Sequence, residues 1–446
     1  MATASPEGTL TGDPGGPWHS LVTRDQWRVW WASTLGWLFD GYEGYALVLV
    51  LVPAMKSLLE PGASTGEVAL FGGFVVSGFL AGWATGGLLG GVLADTLGRK
   101  RTMLISILVY AVFTGISGFS ASWEMLLVFR FLAGVGVGAE WANGTSLIAE
   151  TWPQRARPVG LGLLQSGYGW GQLLAAAIYL TIAGTSPDAW RWLFFVGALP
   201  ALLTIWIRRR VDESPMWQEA SAERTALRER EEPLDEDERR RSRSTLRQLF
   251  ADPTLRRYTL AATVLSLGTT VGFWAISTWI PAQAQRMAGQ DSPEIAAAIA
   301  GVTFTVGAIL GYVVIAFTAD RLGRRPLVAI WFVGAAVITP VTFFLPGSLG
   351  VLYALALVNG FFTLGQFGWM VIYLPELFPT AVRGTASSFV FSTTRYLAAV
   401  GPLVAGVLVA SFGGYGVAAS VFAVLYLLTL PALRFLPETT GRPLPR

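Results

Sequence analysis

Apolar residues run through this chain in long blocks, with the polar residues gathered between them. Twelve runs of about 20 mostly apolar residues start near Trp27, Val68, Met103, Trp123, Val159, Trp190, Tyr258, Ile295, Leu327, Val351, Gly384 and Tyr415. Each is long enough to cross the hydrocarbon core of a bilayer as a helix, so the pattern predicts an all-α integral membrane protein. Composition agrees: 53% of the residues are hydrophobic and 14% charged, against about 25% charged in a soluble domain.

One polar hinge between the runs occurs twice. Gly91-Val-Leu-Ala-Asp95-Thr-Leu-Gly98-Arg99-Lys100-Arg101 is repeated as Ala316-Phe-Thr-Ala-Asp320-Arg-Leu-Gly323-Arg324-Arg325. Glu150-Thr-Trp-Pro153, followed by Arg157, returns as Glu376-Leu-Phe-Pro379, followed by Arg383. Glu213 and Glu438 form a third pair, and all three share an offset of about 225 residues. The chain therefore reads as an internal duplication. Its predicted parts are an N-terminal tail (1–26), a six-helix bundle (27–210), a charged linker (211–257), a second six-helix bundle (258–436) and a C-terminal tail (437–446).

Charge sets the orientation. Arg99, Lys100, Arg101, Arg155, Arg157, Arg208, Arg209, Arg210, Arg324, Arg325, Arg434 and Arg442 follow even-numbered runs, whereas the opposite loops carry little beyond Lys56 and Arg286. Basic loops stay inside, so both termini are expected in the cytoplasm of a bacterial cell, with the chain in the plasma membrane. The net charge of +3 is then a topology signal, and no nucleic-acid partner is expected. Residues 1–20 lack the basic and apolar regions of a signal peptide and are expected to be disordered. The linker, with Glu231, Glu232, Asp235, Glu236, Asp237, Arg239, Arg240, Arg241 and Arg243, cannot span a membrane. Trp217, Leu227, Leu246, Leu249 and Phe250 suggest short amphipathic helices on the inner surface, the alternative being a solvated linker.

Inside the apolar runs, four charges stand out: Asp40, Glu43, Glu140 and Arg395. A charge at that depth costs about 2.5–3.5 kcal/mol on insertion scales, so it marks a pathway, a pair or a relay. Asp40 and Glu43 are three residues apart and share a helical face. With no cysteine, and His19 in the tail as the sole histidine, any proton carrier must be an acid: Asp40, Glu43 or Glu140. A pairing of these acids with bases is the structural alternative. Arg395 keeps its charge and needs an acid, a carbonyl or an anionic ligand; its fork matches a carboxylate. Asn143 shares a face with Glu140, and the duplication sets Gln366 opposite Glu140, so helices 4 and 10 both point polar groups toward one central cavity. Gln165 and Tyr168 in helix 5 add neutral hydrogen-bonding groups, with Gln172 on the same face as Gln165. Trp30, Trp31 and Trp190 read as interfacial anchors. Gly134-x-Gly136-x-x-Ala139 matches a dinucleotide fingerprint only formally, because no strand precedes it. No metal site is expected.

The duplicated hinge resembles the signature of the major facilitator superfamily, over about Trp27 to Gly441. Gly138-Ala-Glu140-Trp141, the Glu150 to Arg157 segment, Trp190-Arg-Trp-Leu-Phe-Phe-Val-Gly-Ala-Leu-Pro200 and Glu213-Ser-Pro215-Met-Trp217 are similar to the sialate:proton and metabolite:proton symporters. Phe39-Asp40-Gly41-Tyr42-Glu43 resembles the first-helix motif of the aromatic-acid:proton symporters. Leu374-Pro-Glu376-Leu-Phe-Pro379 and Pro437-Glu438-Thr439-Thr-Gly441 are shared with sugar porters, but the adjacent glutamines of the sugar porters' seventh helix are missing from Leu267–Pro281. The resemblance implies twelve transmembrane helices in two pseudo-symmetric six-helix bundles, and transport by alternating access without a cofactor. It also implies gating networks at the inner helix ends: Asp95, Arg99, Glu150 and Arg157 in one, Asp320, Arg324, Glu376 and Arg383 in the other. Arg130 is assigned to the gate with them. Asp95 is expected at the start of helix 11. The expected cargo is a small organic anion moved with protons, held by Arg395 with Asn143, Gln165, Gln366 and Tyr168; the expected protein is a monomer in membrane lipid, and not an enzyme. A sugar or polyol transporter, or a membrane sensor of the same fold, is the alternative.

Overall fold

The computed structural model describes residues 16–182, 185–229, 244–289 and 292–445. The linker charges from Glu231 to Arg243, and the tail before residue 16, lie outside the described residues. The first half is built from α1 (Arg24–Leu58), α2 (Thr65–Leu97), α3 (Arg99–Ser117), α4 (Trp123–Thr151), α5 (Arg157–Ile182), α6 (Trp190–Val196) and α7 (Pro200–Arg210). The connecting segment holds α8 (Pro215–Glu229) and α9 (Thr245–Ala251). The second half comprises α10 (Pro253–Ala288), α11 (Pro293–Leu322), α12 (Arg324–Phe344), α13 (Leu349–Thr363), α14 (Gly368–Leu377), α15 (Arg383–Ser411) and α16 (Tyr415–Thr429). Counting α6–α7 and α13–α14 as one broken crossing each, the helices supply twelve crossings. Ten spans among the described residues are long and apolar enough to cross a membrane. The other two, α5 and α15, have the length but carry Gln165, Gln172 and Arg395.

Local chemistry starts and stops these helices. Thr23 with Gln26, and Ser64 with Glu67, form reciprocal capping boxes on α1 and α2. Proline opens α10 and α11. Both copies of the hinge turn on a glycine at positive φ, Gly98 at 108° and Gly323 at 86°, where a side chain would be strained. Near the middle of the tenth crossing, a 3-10 turn at Gly365–Phe367 separates α13 from α14.

Within a half, backbones meet at glycines. A Cβ on Gly82 or Gly86 of α2 would strike the carbonyls of Phe131 or Val135 in α4, and one on Gly307 of α11 would strike that of Leu357 in α13. Such seams are how membrane helices pack without a hydrophobic drive. Between the halves, α2 lies along α15 and α5 along α11. Both chain ends share one face: Gln26 reaches the Thr151 carbonyl at 2.7 Å, and Gln154 reaches that of Gly441 at 2.7 Å. Part of the predicted disordered tail is ordered, since Trp18–Leu21 forms a 3-10 turn with Trp18 packed on Trp27 and Trp152. Trp190, read as an interfacial anchor, is 2% exposed; it packs on Phe194 and under Arg191.

Candidate transport site

Halfway through the bundle, a small cavity lies between the halves. Trp37, Trp83, Gln165 and Tyr168 line it from the first half; Phe273, Trp274, Tyr312, Leu364, Phe367, Phe391 and Arg395 line it from the second. Three of the expected ligand residues, Arg395, Gln165 and Tyr168, are therefore on its wall. Asn143 and Gln366 are not. Asn143 turns back to the Ala139 carbonyl of its own helix. Gln366 sits in the 3-10 turn, donates to the Thr363 carbonyl at 2.8 Å and accepts from Thr269 at 3.5 Å. That tighter turn changes the register of the crossing, and Phe367 faces the cavity instead.

The guanidinium of Arg395 lies 3.5 Å from the ring centre of Phe391 and 4.5 Å from that of Trp83. Nη1 donates to the Phe391 carbonyl at 2.5 Å. Nε is buried with no acceptor, and among the described residues no carboxylate forms an ion pair with this arginine. On the Nε side of the fork, the one suited to two parallel bonds with a carboxylate, Nε has no hydrogen bond among the described residues.

The three embedded acids separate into two clusters. The carboxyls of Asp40 and Glu140 meet each other. Gly36 makes room, since a Cβ there would collide with Glu140 Oε1. Both oxygens of Asp40 and Oε1 of Glu140 are buried with no donor in reach. Glu43 goes elsewhere: its Oε2 accepts from Arg130 at 3.0 Å and from Thr114 at 2.6 Å. Arg130 also donates to Thr114 and Ser117, and its guanidinium stands 4.5 Å from the Phe194 ring. Arg130 thus does not join the charges around Glu150 with which it is grouped by sequence. It sits near the start of α4, about 30 Å of helix from Glu150 at 1.5 Å per residue, and closes an ion pair inside the first half.

The gate charges gather at the face carrying the chain ends. Asp95 accepts from the amides of Gly384 at 3.1 Å and Thr385 at 2.7 Å, at the start of α15, and from Arg99 at 2.9 Å. Arg99 also donates to Glu150 at 2.9 Å and to the Thr380 carbonyl at 2.8 Å. Arg383, expected with Asp320, joins this cluster and reaches Glu150 at 2.8 Å. In the second copy, Arg324 holds Glu376 through two bonds at 2.9 and 2.8 Å and Asp320 at 2.9 Å, all within one half. Among the described residues Arg157 hydrogen-bonds only the Trp152 carbonyl, at 3.3 Å, and does not pair with Glu150 as expected. Glu438 caps α12 through the amides of Arg324 at 2.9 Å and Arg325 at 3.0 Å. Burial alone would raise the Glu438 pKa, but the Thr440 hydroxyl and these amides outweigh it and bring it to about 2. Trp217 of α8 donates to the Asp95 carbonyl at 3.0 Å, which ties the connecting segment to the same cluster.

The aromatic wall escaped sequence reading, although a signal existed. Tryptophans normally gather at the ends of membrane helices, while Trp37, Trp83, Trp141 and Trp274 lie far from the ends of their runs.

Known proteins agree with this architecture. The chain is 30% identical over 427 residues, 95% of its length and 93% of the relative's, to a probable 4-methylmuconolactone transporter of Cupriavidus pinatubonensis. It is 31% identical over 418 residues, 93% of its length and 96% of the relative's, to the cis,cis-muconate transport protein of Acinetobacter baylyi. The fold matches that of a proton:xylose symporter of the major facilitator superfamily bound to 6-bromo-6-deoxy-D-glucose, with a TM-score of 0.75, 22% identity and coverage of 94% and 98% of the two chains. The family model for sugar (and other) transporters matches residues 32–446, and the chain belongs to that family, as a multi-pass membrane transporter of the major facilitator fold and not an enzyme.

Proposed function

We propose that the protein moves a small organic acid together with protons, by alternating access, across the bacterial plasma membrane. The observation that carries this reading is the buried Arg395 guanidinium on the wall of the central cavity, which among the described residues forms no ion pair with a carboxylate. A bound carboxylate would complete it. The relatives named for muconate and 4-methylmuconolactone support an organic acid as cargo, and the aromatic wall suits a flat carbon skeleton. The Asp40–Glu140 pair is the proton carrier. Two charged carboxylates in contact repel, and a single shared proton turns that repulsion into a hydrogen bond. Glu43, committed to Arg130, is the less favoured candidate. The face carrying the chain ends is cytoplasmic, in keeping with its basic loops, and the bundles at 27–210 and 258–436 rock about the linker at 211–257.

The test is binding and uptake of a panel of organic acids, cis,cis-muconate included, by purified protein in proteoliposomes. Binding of an acid, loss of that binding in Arg395→Lys despite the retained charge, and loss of pH-driven uptake in Asp40→Asn are expected. Binding of neutral sugars in place of acids, or unchanged affinity in Arg395→Ala, overturns the reading. The absence of counterflow for any solute would favour a sensor.

A further inference from the structure

Trp141 touches neither the cavity nor the gate, yet it holds two of the polar groups that face the cavity. It is 2% exposed and follows Glu140 on α4. Its indole N–H donates to Gln165 Oε1 at 3.2 Å. One face of its ring stacks on Phe391, with 3.7 Å between centroids and 9° between planes. Phe391 in turn carries the Arg395 guanidinium 3.5 Å from its centre and accepts from Nη1 through its carbonyl. Trp141 belongs to the first half, while Phe391 and Arg395 belong to the second. The stack Trp141–Phe391–Arg395 therefore spans the boundary between them.

We propose that Trp141 is a positioning residue. It fixes the Phe391 ring, the ring fixes the plane of the Arg395 fork, and its N–H turns the Gln165 amide so that Nε2, with its two donors, is left for the cavity. Through one side chain, the first half sets the geometry of an anion site whose cation belongs to the second. The organic-acid assignment rests on the proposed function above; the positioning itself does not depend on it.

The experiment reads Arg395 with and without ligand. Full-length protein with ¹⁵N-labelled arginine is purified in detergent, and the Arg395 Nε–H signal is assigned by its loss in Arg395→Lys. A group stacked on a ring carries a ring-current shift. That shift is expected to fall by about half or more in Trp141→Leu and to persist in Trp141→Phe, which keeps a stacking ring. Affinity for cis,cis-muconate is expected to fall about tenfold in Trp141→Leu, the upper range of an aromatic pair, and less than about threefold in Trp141→Phe. If the Leu variant does not purify, Trp141→Met, a flexible chain that fills irregular gaps without a ring, is read the same way. An unchanged Nε–H signal in the Leu or Met variant, or an equal loss in Trp141→Phe, overturns the proposal. A signal that moves as expected in a protein whose wild type binds no organic acid supports the positioning and overturns the organic-acid reading alone.

Discussion

Asp95 and Asp320 stand at equivalent places in the two halves, but Asp95 is fully buried while the Asp320 side chain is 45% exposed. Asp95 caps the first amides of α15 across the boundary. Among the described residues Asp320 bonds only Arg324 beside it. One residue accounts for much of the difference. Opposite Asp95 the chain reads Arg383-Gly384-Thr385; at the matching start of α5 it reads Arg157-Pro158-Val159. Proline has no amide hydrogen to give, so the second copy lacks one of the two donors. The helices do come close enough there, because a Cβ on Gly162 would run into Ala316, one turn from Pro158 and Asp320 respectively. The halves are thus bridged at this face by the Asp95 cap and the Glu150–Arg383 pair, whereas the second copy bonds within its own half.

Breaking the strong copy gives the largest expected effect. Asp95→Asn leaves Arg99 buried beside a neutral group and weakens both cap bonds; breaking a buried pair this way costs about 3–5 kcal/mol. Since these contacts exist only while the face is closed, their loss shifts the population toward the open state. With no native thiol in the chain, a cysteine at the buried Ala316 reports opening. Its labelling rate should rise tenfold or more, in the sense of about 1.4 kcal/mol per factor of ten. An unchanged rate would remove Asp95 from the closure altogether.

Glu150→Gln comes next. It weakens the bridge between Arg99 and Arg383 but leaves the Asp95 cap, so labelling at the same cysteine should rise by less than in Asp95→Asn. Equal effects would mean that the cap contributes nothing of its own.

Pro158→Gly sharpens the comparison from the other side. It supplies the missing amide, and one added hydrogen bond contributes about 0.5–1.5 kcal/mol. Labelling should fall about threefold and turnover should slow, but only while Asp320 is present to accept. The same result in an Asp320→Asn background would show that glycine acts through flexibility instead.

Asp320→Asn alone is the smallest change. A partly exposed pair contributes about 1 kcal/mol or less, so labelling should change by less than about threefold. The Glu438 cap beside it should be insensitive to ordinary pH. Its folded pKa of about 2 lies below the unfolded value of about 4.3, so its contribution is fully present above that value and is lost only as pH falls toward 2.

Much of this was readable before any coordinates. Duplication carries register, so Asp95, Arg99, Glu150 and their copies fall at the helix ends where one-dimensional spacing puts them. The Pro158–Gly384 mismatch was equally visible, because a missing donor is a covalent fact. What spacing does not carry is which neighbouring helix a side chain meets. Asp40 and Glu43 share a face of α1 and both meet α4, yet at different levels: Asp40 at Glu140, Glu43 at Arg130 together with Thr114 of α3. Arg383 likewise chose Glu150 over the second network. Gln366 was displaced by a local 3-10 turn that no periodicity announces.

The glycine seams inside each half have a mechanical consequence. Where backbone touches backbone, there are few rotamers to rearrange, so each half deforms like a stiff plate. Between the plates, the face carrying the chain ends is also joined by side-chain bonds that can let go, the Asp95 cap and the Glu150–Arg383 pair. Strain applied at the cavity, some 20 Å from the charged ends by about 13 residues of helix at 1.5 Å each, is then not absorbed on the way. It is passed on toward the charged ends.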